Sequence, residues 1–310
     1  MSESASHPSR APSPSPSRAP SPSPSRAPSP SPSRAMWEAV ERYHATCYMA
    51  PEVREEGAAA GLKGFWMNYF ATRIAPVGAV GPEIVRSTFF YYADSRIDRA
   101  IPDAWSYSTP AAVIAARYRG MDRALSRLLG DAKVGAEVAQ AATIVRDACL
   151  GCDLIGRTIH AGWASLPWPK ESHLALWHGC TLLREYRSGN HLIAVTAEGL
   201  DGCQAVVSHV AVDGAPRQWI RDEAGWTEQD EAAAVADLQA RGWLDGDGLV
   251  AAEGRAGRAR VETLTDELDD MVWHRLGEDR SRRLFDLLSG LAALLPPDDQ
   301  LDWELYYRTN

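Results

Sequence analysis

Three side chains in the apolar segment 62–74 have the types and the spacing of a ligand-binding helix face. Trp66, Tyr69 and Arg73 occupy positions i, i+3 and i+7, which places them on one side of an α-helix. Aromatic rings and a guanidinium group together stack around planar or anionic molecules. The segment therefore predicts one wall of a small-molecule pocket.

A second apolar segment, 171–187, carries a similar set, and His191 follows it after the turn Ser188-Gly189-Asn190. Trp177 and Arg184 are again seven residues apart, and His178 and Glu185 project from the neighbouring face of the predicted helix. If the two helices face each other, their arginines bind a carboxylate or phosphate, and His178 donates or accepts a proton. The two segments together predict one shared pocket.

The predicted ligand-binding residues are His44, Tyr48, Trp66, Tyr69, Arg73, Trp177, His178, Arg184, Glu185 and His191. Each of them by itself also has a structural explanation, because tryptophans on apolar helices usually belong to the core and buried histidines are usually hydrogen-bonded structure. No catalytic residue is assigned. An enzyme with His44, His178 or Glu185 as acid or base is one alternative.

The pattern of potential metal ligands predicts no metal site. His173 and His178 differ by five positions and lie about 140° apart on a helix, whereas zinc helices place ligands three or four residues apart. Cys149 and Cys152 form a lone C-x-x-C inside a predicted helix, without a second pair. The nucleotide-binding glycine motifs are also missing, so no cofactor is expected.

Residues 1–35 are a low-complexity tail. The octapeptide SRAPSPSP recurs from Ser9 onward with an arginine at every eighth position. Proline at alternate positions removes backbone donors and favours extended conformations, which predicts a disordered tail. Translation that begins at Met36 and a Ser-Pro ligand for a partner domain are two alternative explanations of the repeat.

The rest of the chain is acidic. The chain has a formal charge of −9, and the tail carries four arginines against one glutamate, which leaves the remainder near −12. An acidic surface repels nucleic acid, so contacts to DNA would need a local basic patch. There is no secretory apolar run and no membrane-length segment, which predicts a cytoplasmic protein without a membrane partner.

The elements that must position the candidate residues are mostly α-helices. Both apolar segments share the spacing of seven between tryptophan and arginine, and each is followed by a glycine-containing turn, at Gly78 and at Gly189. This similarity predicts two pseudo-repeated helical units, 36–165 and 166–310. The fold class is therefore mostly α, with a short β-hairpin in the module described next.

The segment GWTEQDEAAAVADLQARGWLDGDG, residues 225–248, has the pattern of a helix followed by a hairpin. Thr227 caps the helix, Gly242 ends it, and apolar pairs flank the turn Asp-Gly-Asp-Gly. This arrangement resembles the recognition helix and wing of MarR-type winged-helix proteins. The resemblance implies a winged-helix-like module at about 215–265.

Longer strings extend the resemblance over the wider chain. GLKGFWMNYFATRIAPVGAVGPEIV, RAIPDAW, LPWPKESHLALWHGCTLLREYRSGNH, GLDG and RGWLDGDG are similar to a family of actinobacterial helix-turn-helix domain proteins. The resemblance implies a DNA-binding transcriptional regulator as one possible function. It implies no particular activity.

The charge of the expected recognition helix disfavours DNA binding. Between Thr227 and Leu244 four acidic residues stand against Arg241, whereas DNA-reading helices normally present Arg, Lys, Asn or Gln. Contacts to DNA would have to come from the arginines after the wing, which are Arg255, Arg258 and Arg260.

Three hypotheses therefore remain. The first is a protein that senses or sequesters a small molecule in a central aromatic, arginine and histidine pocket. The second is a MarR-like transcriptional regulator, which would act as a homodimer. The third is an enzyme that uses histidine and glutamate acid–base chemistry on a small substrate.

Overall fold

A computed structural model describes residues 32–214 and 217–295. Residues 1–31, which contain most of the predicted tail, lie outside the described part, and the first helix already begins at Pro32. The division into units 36–165 and 166–310 stays a prediction.

The described residues form a mostly α-helical structure without a strand, which confirms the fold class at that level. The first nine helices are α1 (Pro32–His44), α2 (Thr46–Met49), α3 (Pro51–Ala59), α4 (Gly64–Ile74), α5 (Pro82–Thr88), α6 (Asp94–Asp98), α7 (Ala104–Tyr107), α8 (Pro110–Leu129) and α9 (Ala136–Cys149). The others are α10 (Thr158–Ala164), α11 (Ser172–Ala197), α12 (Gly202–Asp213), α13 (Gln218–Asp222), α14 (Glu228–Ala240), α15 (Ala252–Leu276) and α16 (Glu278–Ala292). Two short 3-10 helices are Ala75–Val77 and Gly130–Val134.

Local sequence signals explain several helix ends. Thr109 accepts a hydrogen bond from the backbone of Ala112, and α8 begins with a proline, which has no amide hydrogen to leave unpaired there. Thr227 and Asp230 form a reciprocal capping box at the start of α14, which confirms Thr227 as the cap. A positive φ of 72° at Gly242 follows that helix, a conformation that glycine adopts without strain.

The predicted pair of repeats is not supported, because α11 does not stop at Gly189. This helix continues to Ala197, and the glycine lies against another side chain instead of in a turn. A Cβ atom at Gly189 would come within 2.6 Å of Arg157 Cγ. The Arg157 guanidinium then donates to the buried Asn190 side chain at 2.7 Å. Gly189 therefore allows α11 to pack closely on Arg157.

The helices enclose two hydrophobic cores. The first core is built around Trp163 and Trp177, with α11 packed against α1, α9 and α10. The second core is built around Val206, Leu238 and Trp243, where α12 packs against α14 and α15. The long helices α11 and α15 contact each other and contribute residues to both cores.

The predicted β-hairpin is reduced to a single antiparallel bridge between Leu244 and Val250. The Asp245 side chain accepts hydrogen bonds from the amides of residues 247 and 249 and closes the turn. Helix α15 then starts at once against Trp243. A Cβ atom at Gly254 would lie 2.2 Å from the Trp243 carbonyl oxygen, so the first turn of α15 packs directly on that residue.

No helix in the described ranges combines the length and the apolar character that crossing a membrane requires.

The contact between α3 and α8 gives a test of the packing. A Cβ atom at Gly120 would lie 2.6 Å from Val53 Cα and 3.1 Å from the Glu52 carbonyl oxygen. We expect Gly120→Ala to lower the free energy of unfolding by about 1–3 kcal/mol through overpacking. The matched control is Gly290→Ala in α16, where nothing lies within 4 Å and where alanine should stabilise by ~0.5–1 kcal/mol. Urea unfolding measures the change in the free energy of unfolding of both variants, and equal changes would contradict the prediction.

Candidate functional site

A cavity of about 390 Å³ lies where the two cores adjoin. Its lining includes Phe89 from the first core and Val206 and Ala224 from the second. The charged lining residues are Arg34, Arg73, Arg184, Arg187, Arg258, Glu41 and Glu262. The aromatic lining residues are Trp37, Tyr69, Phe89, Phe90, Tyr91, Tyr92 and Trp219.

Four of the ten predicted ligand-binding residues line this cavity. They are Tyr69 and Arg73 of α4 and Arg184 and His191 of α11. The two predicted segments therefore do meet at one cavity, but with fewer of their residues than expected.

A buried carboxylate joins the two segments. Glu185 accepts two hydrogen bonds from Arg73, at 3.0 Å from Nε and 2.8 Å from Nη2, and one from Arg184 Nη1 at 3.1 Å. Burial alone would raise the pKa of Glu185, but the two guanidinium groups outweigh it and hold the pKa well below its usual range. The carboxylate is therefore ionised at neutral pH and orients both arginines.

Glu41 of α1 completes this cluster on the cavity side. Its Oε2 lies 3.4 Å from Arg184 Nε, too long for a good hydrogen bond, and has no hydrogen-bond partner among the described residues. The arginine nevertheless balances its charge.

A second charged cluster of the lining joins α15 to α1. Glu262 accepts from Arg258 Nη2 at 3.0 Å and from Arg34 Nη1 at 2.6 Å. Burial would raise the pKa of Glu262, but the neighbouring His191, Arg34 and Arg258 lower it on balance. Arg258 has only 5% of its side chain exposed, and its Nη1 has no acceptor within the described part of the chain.

Arg187 and His191 of α11 are held by α15 as well. Arg187 donates to Asp266 at 2.6 Å and to Asp269 at 3.2 Å. His191 is hydrogen-bonded to Thr265 at 3.1 Å, and burial lowers its pKa to about 4. The histidine is therefore neutral at pH 7 and does not add charge to the cavity.

Three predicted residues of the α1–α4 region, His44, Tyr48 and Trp66, do not line the cavity. His44 is buried and hydrogen-bonded to Thr181 at 3.0 Å and to Tyr48 at 2.8 Å. Trp66 packs under Arg96, whose guanidinium lies 4.4 Å from the ring centroid. Their contacts are those of interior packing.

Trp177 and His178 point away from the cavity into the first core. His178 Nδ1 is hydrogen-bonded to the Tyr118 hydroxyl at 2.6 Å, and the Trp168 ring lies 4.8 Å away. Burial lowers the pKa of His178 to about 4. None of the three residues of the acid–base hypothesis, His44, His178 and Glu185, borders this cavity, and the hypothesis stays a prediction.

Sequence reasoning missed several lining residues. Trp37 and Glu41 lie four residues apart on α1, and Arg258 and Glu262 have the same spacing on α15. That spacing of an arginine and a glutamate is a readable signal for a helix ion pair. Tyr91, in the segment after α5, carries no such signal.

The three arginines expected to contact DNA do not form one exposed stripe. Arg258 is buried at the cavity, and Arg260 is paired with Glu198 and Glu253 at 2.6 and 3.0 Å. Arg255 is exposed and donates to the Val250 carbonyl at 2.9 Å.

The exposed face of α14 is poor in basic groups. Its solvent-exposed residues are Glu228, Gln229, Asp230, Ala232, Ala233, Ala236, Asp237 and Ala240. Glu231 of the same helix is buried and accepts from Arg217 and Arg221.

The model of a helix-turn-helix family matches residues 33–300 of the chain, which is most of its length. The chain belongs to the helix-turn-helix family. No curated protein and no solved structure shows a significant match to it. In the described part of this helix-turn-helix protein, no cluster of three or more His, Cys, Asp or Glu side chains is arranged to hold a metal ion.

The Glu185 cluster gives a stability prediction. We expect Glu185→Gln to lower the free energy of unfolding by about 3–5 kcal/mol at pH 7, because it leaves two buried arginines without their shared charge. The folded-state pKa is depressed, so this contribution is complete above the ordinary glutamate pKa of about 4.3 and is lost as the pH falls below it. Urea unfolding of the wild type and of Glu185→Gln between pH 7 and pH 3 should show that the difference between their free energies of unfolding becomes smaller in acid.

The control is Glu56→Gln. Glu56 also binds two arginines, at 2.8 and 3.1 Å, but these are 56% and 49% exposed, so solvent screens the pairs. If Glu56→Gln lowered the free energy of unfolding as much as Glu185→Gln does, burial would not be the decisive factor.

Proposed function

We propose that this helix-turn-helix protein binds a small molecule in the cavity between its two cores. The observation that carries the proposal is the lining itself, which combines seven aromatic side chains with five arginines around about 390 Å³. Ligand sites are typically cavities of this size with apolar walls and a few convergent polar groups. The class would be a sensor or a sequestering protein.

The position of the cavity supports a sensing role. Arg184 and His191 of α11 line it, and so do Arg258 and Glu262 of α15. Both helices also contribute to the second core, which contains α14. A ligand that contacts both helices can favour one arrangement of the second core relative to the first.

A neutral aromatic probe tests binding in the cavity. N-Phenyl-1-naphthylamine fluoresces strongly in apolar surroundings, and we expect saturable enhancement with the full chain. Ser188→Trp places a large ring in the cavity from its α11 wall and should weaken probe binding at least about tenfold, since the ring occupies the space the probe needs.

The matched control is Thr196→Trp, which adds the same ring on the exposed side of α11. It should leave the probe affinity unchanged. No saturable binding, or equal affinities for wild type and Ser188→Trp, would remove the proposal.

DNA binding is the second candidate, and family membership favours it more directly than it favours ligand binding. We propose that α13, the turn after it and α14 are the helix-turn-helix, with the bridge Leu244–Val250 as a small MarR-like wing. The acidic and alanine-rich face of α14 is the physical objection, because it offers few donors to base edges or phosphates. Binding would then be weak, with a shallow salt dependence because few phosphates are contacted, and a homodimer would be needed to strengthen it.

A gel-shift titration on genomic fragments at low salt tests this candidate. If DNA is the partner, Arg255→Glu beside the wing should weaken the shift at least about threefold, since it replaces an exposed cation by an anion. The matched control is Arg282→Glu on α16. The Arg282 side chain is 68% exposed, so the variant makes the same change of charge far along the chain and should have little effect on the gel shift. No shift at low salt, or equal losses in both variants, would exclude this interface.

A further inference from the structure

We infer that the phosphate backbone of DNA contacts Arg217 and Arg221, two arginines at α13 that the buried carboxylate of Glu231 holds in place. This inference rests on the second candidate function, DNA binding, and adds a surface that contacts the duplex. The arginines after the wing are not part of this surface.

A groove lies between α13 and α14, the two helices of the proposed helix-turn-helix, and it has a volume of about 520 Å³. Arg217 and Arg221 line it from the α13 side. A Cβ atom at Gly248, in the turn of the wing, would come within 3.5 Å of Arg217 Nη1, so the groove reaches the wing. The α14 wall of the groove is formed mainly by the small or uncharged residues Ala232, Val235, Ala236 and Gln239.

The two arginines are held by one carboxylate. Glu231 accepts from Arg217 Nε at 2.9 Å and from Arg221 Nη1 at 2.8 Å, and only 8% of its side chain is exposed. The other donors of both guanidinium groups make no hydrogen bond within the described part of the chain. The arginine side chains are 51% and 38% exposed, so a partner at the groove reaches these donors.

This arrangement suits phosphate groups. Guanidinium donors form charge-assisted and often paired hydrogen bonds with phosphate oxygens. Arg217 already has helical backbone angles, φ −58° and ψ −25°, so the spacing of four places it on the same side of α13 as Arg221. Because Glu231 orients both side chains before DNA binds, less conformational entropy is lost on binding.

The carboxylates around the groove limit the affinity. Glu228 lines the groove and forms no ion pair among the described residues. Asp230 is engaged with Thr227 in the capping box, and the Asp245 carboxylate accepts from the amides of the wing turn. Glu228 is therefore the carboxylate that most directly opposes a phosphate in the groove, and its charge gives a second way to test the site.

A fluorescein-labelled DNA duplex of mixed sequence and about two helical turns tests the contact, since phosphate contacts do not depend on sequence. Fluorescence anisotropy measures its affinity for the full chain between about 25 and 150 mM KCl. The double variant Arg217→Gln and Arg221→Gln should bind at least about tenfold more weakly at the lowest salt. The slope of log K against log salt should also become shallower by about 1.8, since each lost phosphate contact removes about 0.9.

The matched control is the double variant Arg119→Gln and Arg123→Gln in α8. These arginines are also four residues apart and also share a glutamate of a neighbouring helix, Glu56, at 2.8 and 3.1 Å. The control therefore removes the same charge and the same kind of contact elsewhere in the chain. It should leave the affinity for the duplex and the salt slope unchanged.

Glu228→Gln tests the site from the opposite direction. It should tighten binding at least about twofold, because it removes a repulsive charge beside the phosphates. Glu228 is exposed, so this variant does not depend on a buried contact. Circular dichroism checks that each variant folds. If the double variant at α13 does not fold, the single variants and Glu228→Gln decide, and an affinity that Glu228→Gln leaves unchanged contradicts the inference.

The outcomes separate the inference from the function on which it rests. If the wild type does not bind the duplex at the lowest salt, the DNA candidate and the inference are both overturned. If the wild type binds and the α13 variant binds equally well, or if both double variants lose affinity equally, only the inference is overturned. A loss confined to Arg255→Glu then places the contact at the wing.

Discussion

The Glu185 carboxylate lies in the interior between two arginines from different helices, and this contact constrains much of the molecule. A buried ion pair of this kind tolerates little misplacement. The hydrogen bonds between the guanidinium groups and the carboxylate must replace the hydrogen bonds to water that both lose on burial. Arg73 therefore holds α4 against α11, and Arg184 brings α1 into the same cluster through Glu41. The cavity borders this cluster, so the same contacts fix the position of that part of the cavity wall.

Another part of the cavity wall depends on α15, whose first turns pack directly on Trp243. Gly254 and Gly257 allow the helix to lie directly on that tryptophan, since a Cβ atom at either would come within 2.2 Å of it. Arg258 and Glu262, about one and two turns after Gly254, lie at the cavity. The single bridge between Leu244 and Val250 directly precedes this contact.

Family membership and surface chemistry point to different partners. The helix-turn-helix family match favours DNA, whereas α14 exposes alanines and acids, and two of the three nearby arginines are paired with carboxylates of the chain. Phosphate contacts supply much of the affinity of DNA-binding proteins, and this surface offers few.

Patterns within a few residues of each other determined the helices of this protein, the caps at Thr109 and Thr227, and the acidic character of α14, because helix periodicity and capping are local effects. The sequence also indicated that the two tryptophan-and-arginine segments meet. Only the tertiary structure decided which side chains line the cavity. Arg73 and Glu185 are 112 positions apart, and a rotation of about 100° per residue turns His178 into the core while Arg184 faces the cavity. The packing of α11 against α1, α9 and α10, which joins residues distant in the sequence, sets that orientation.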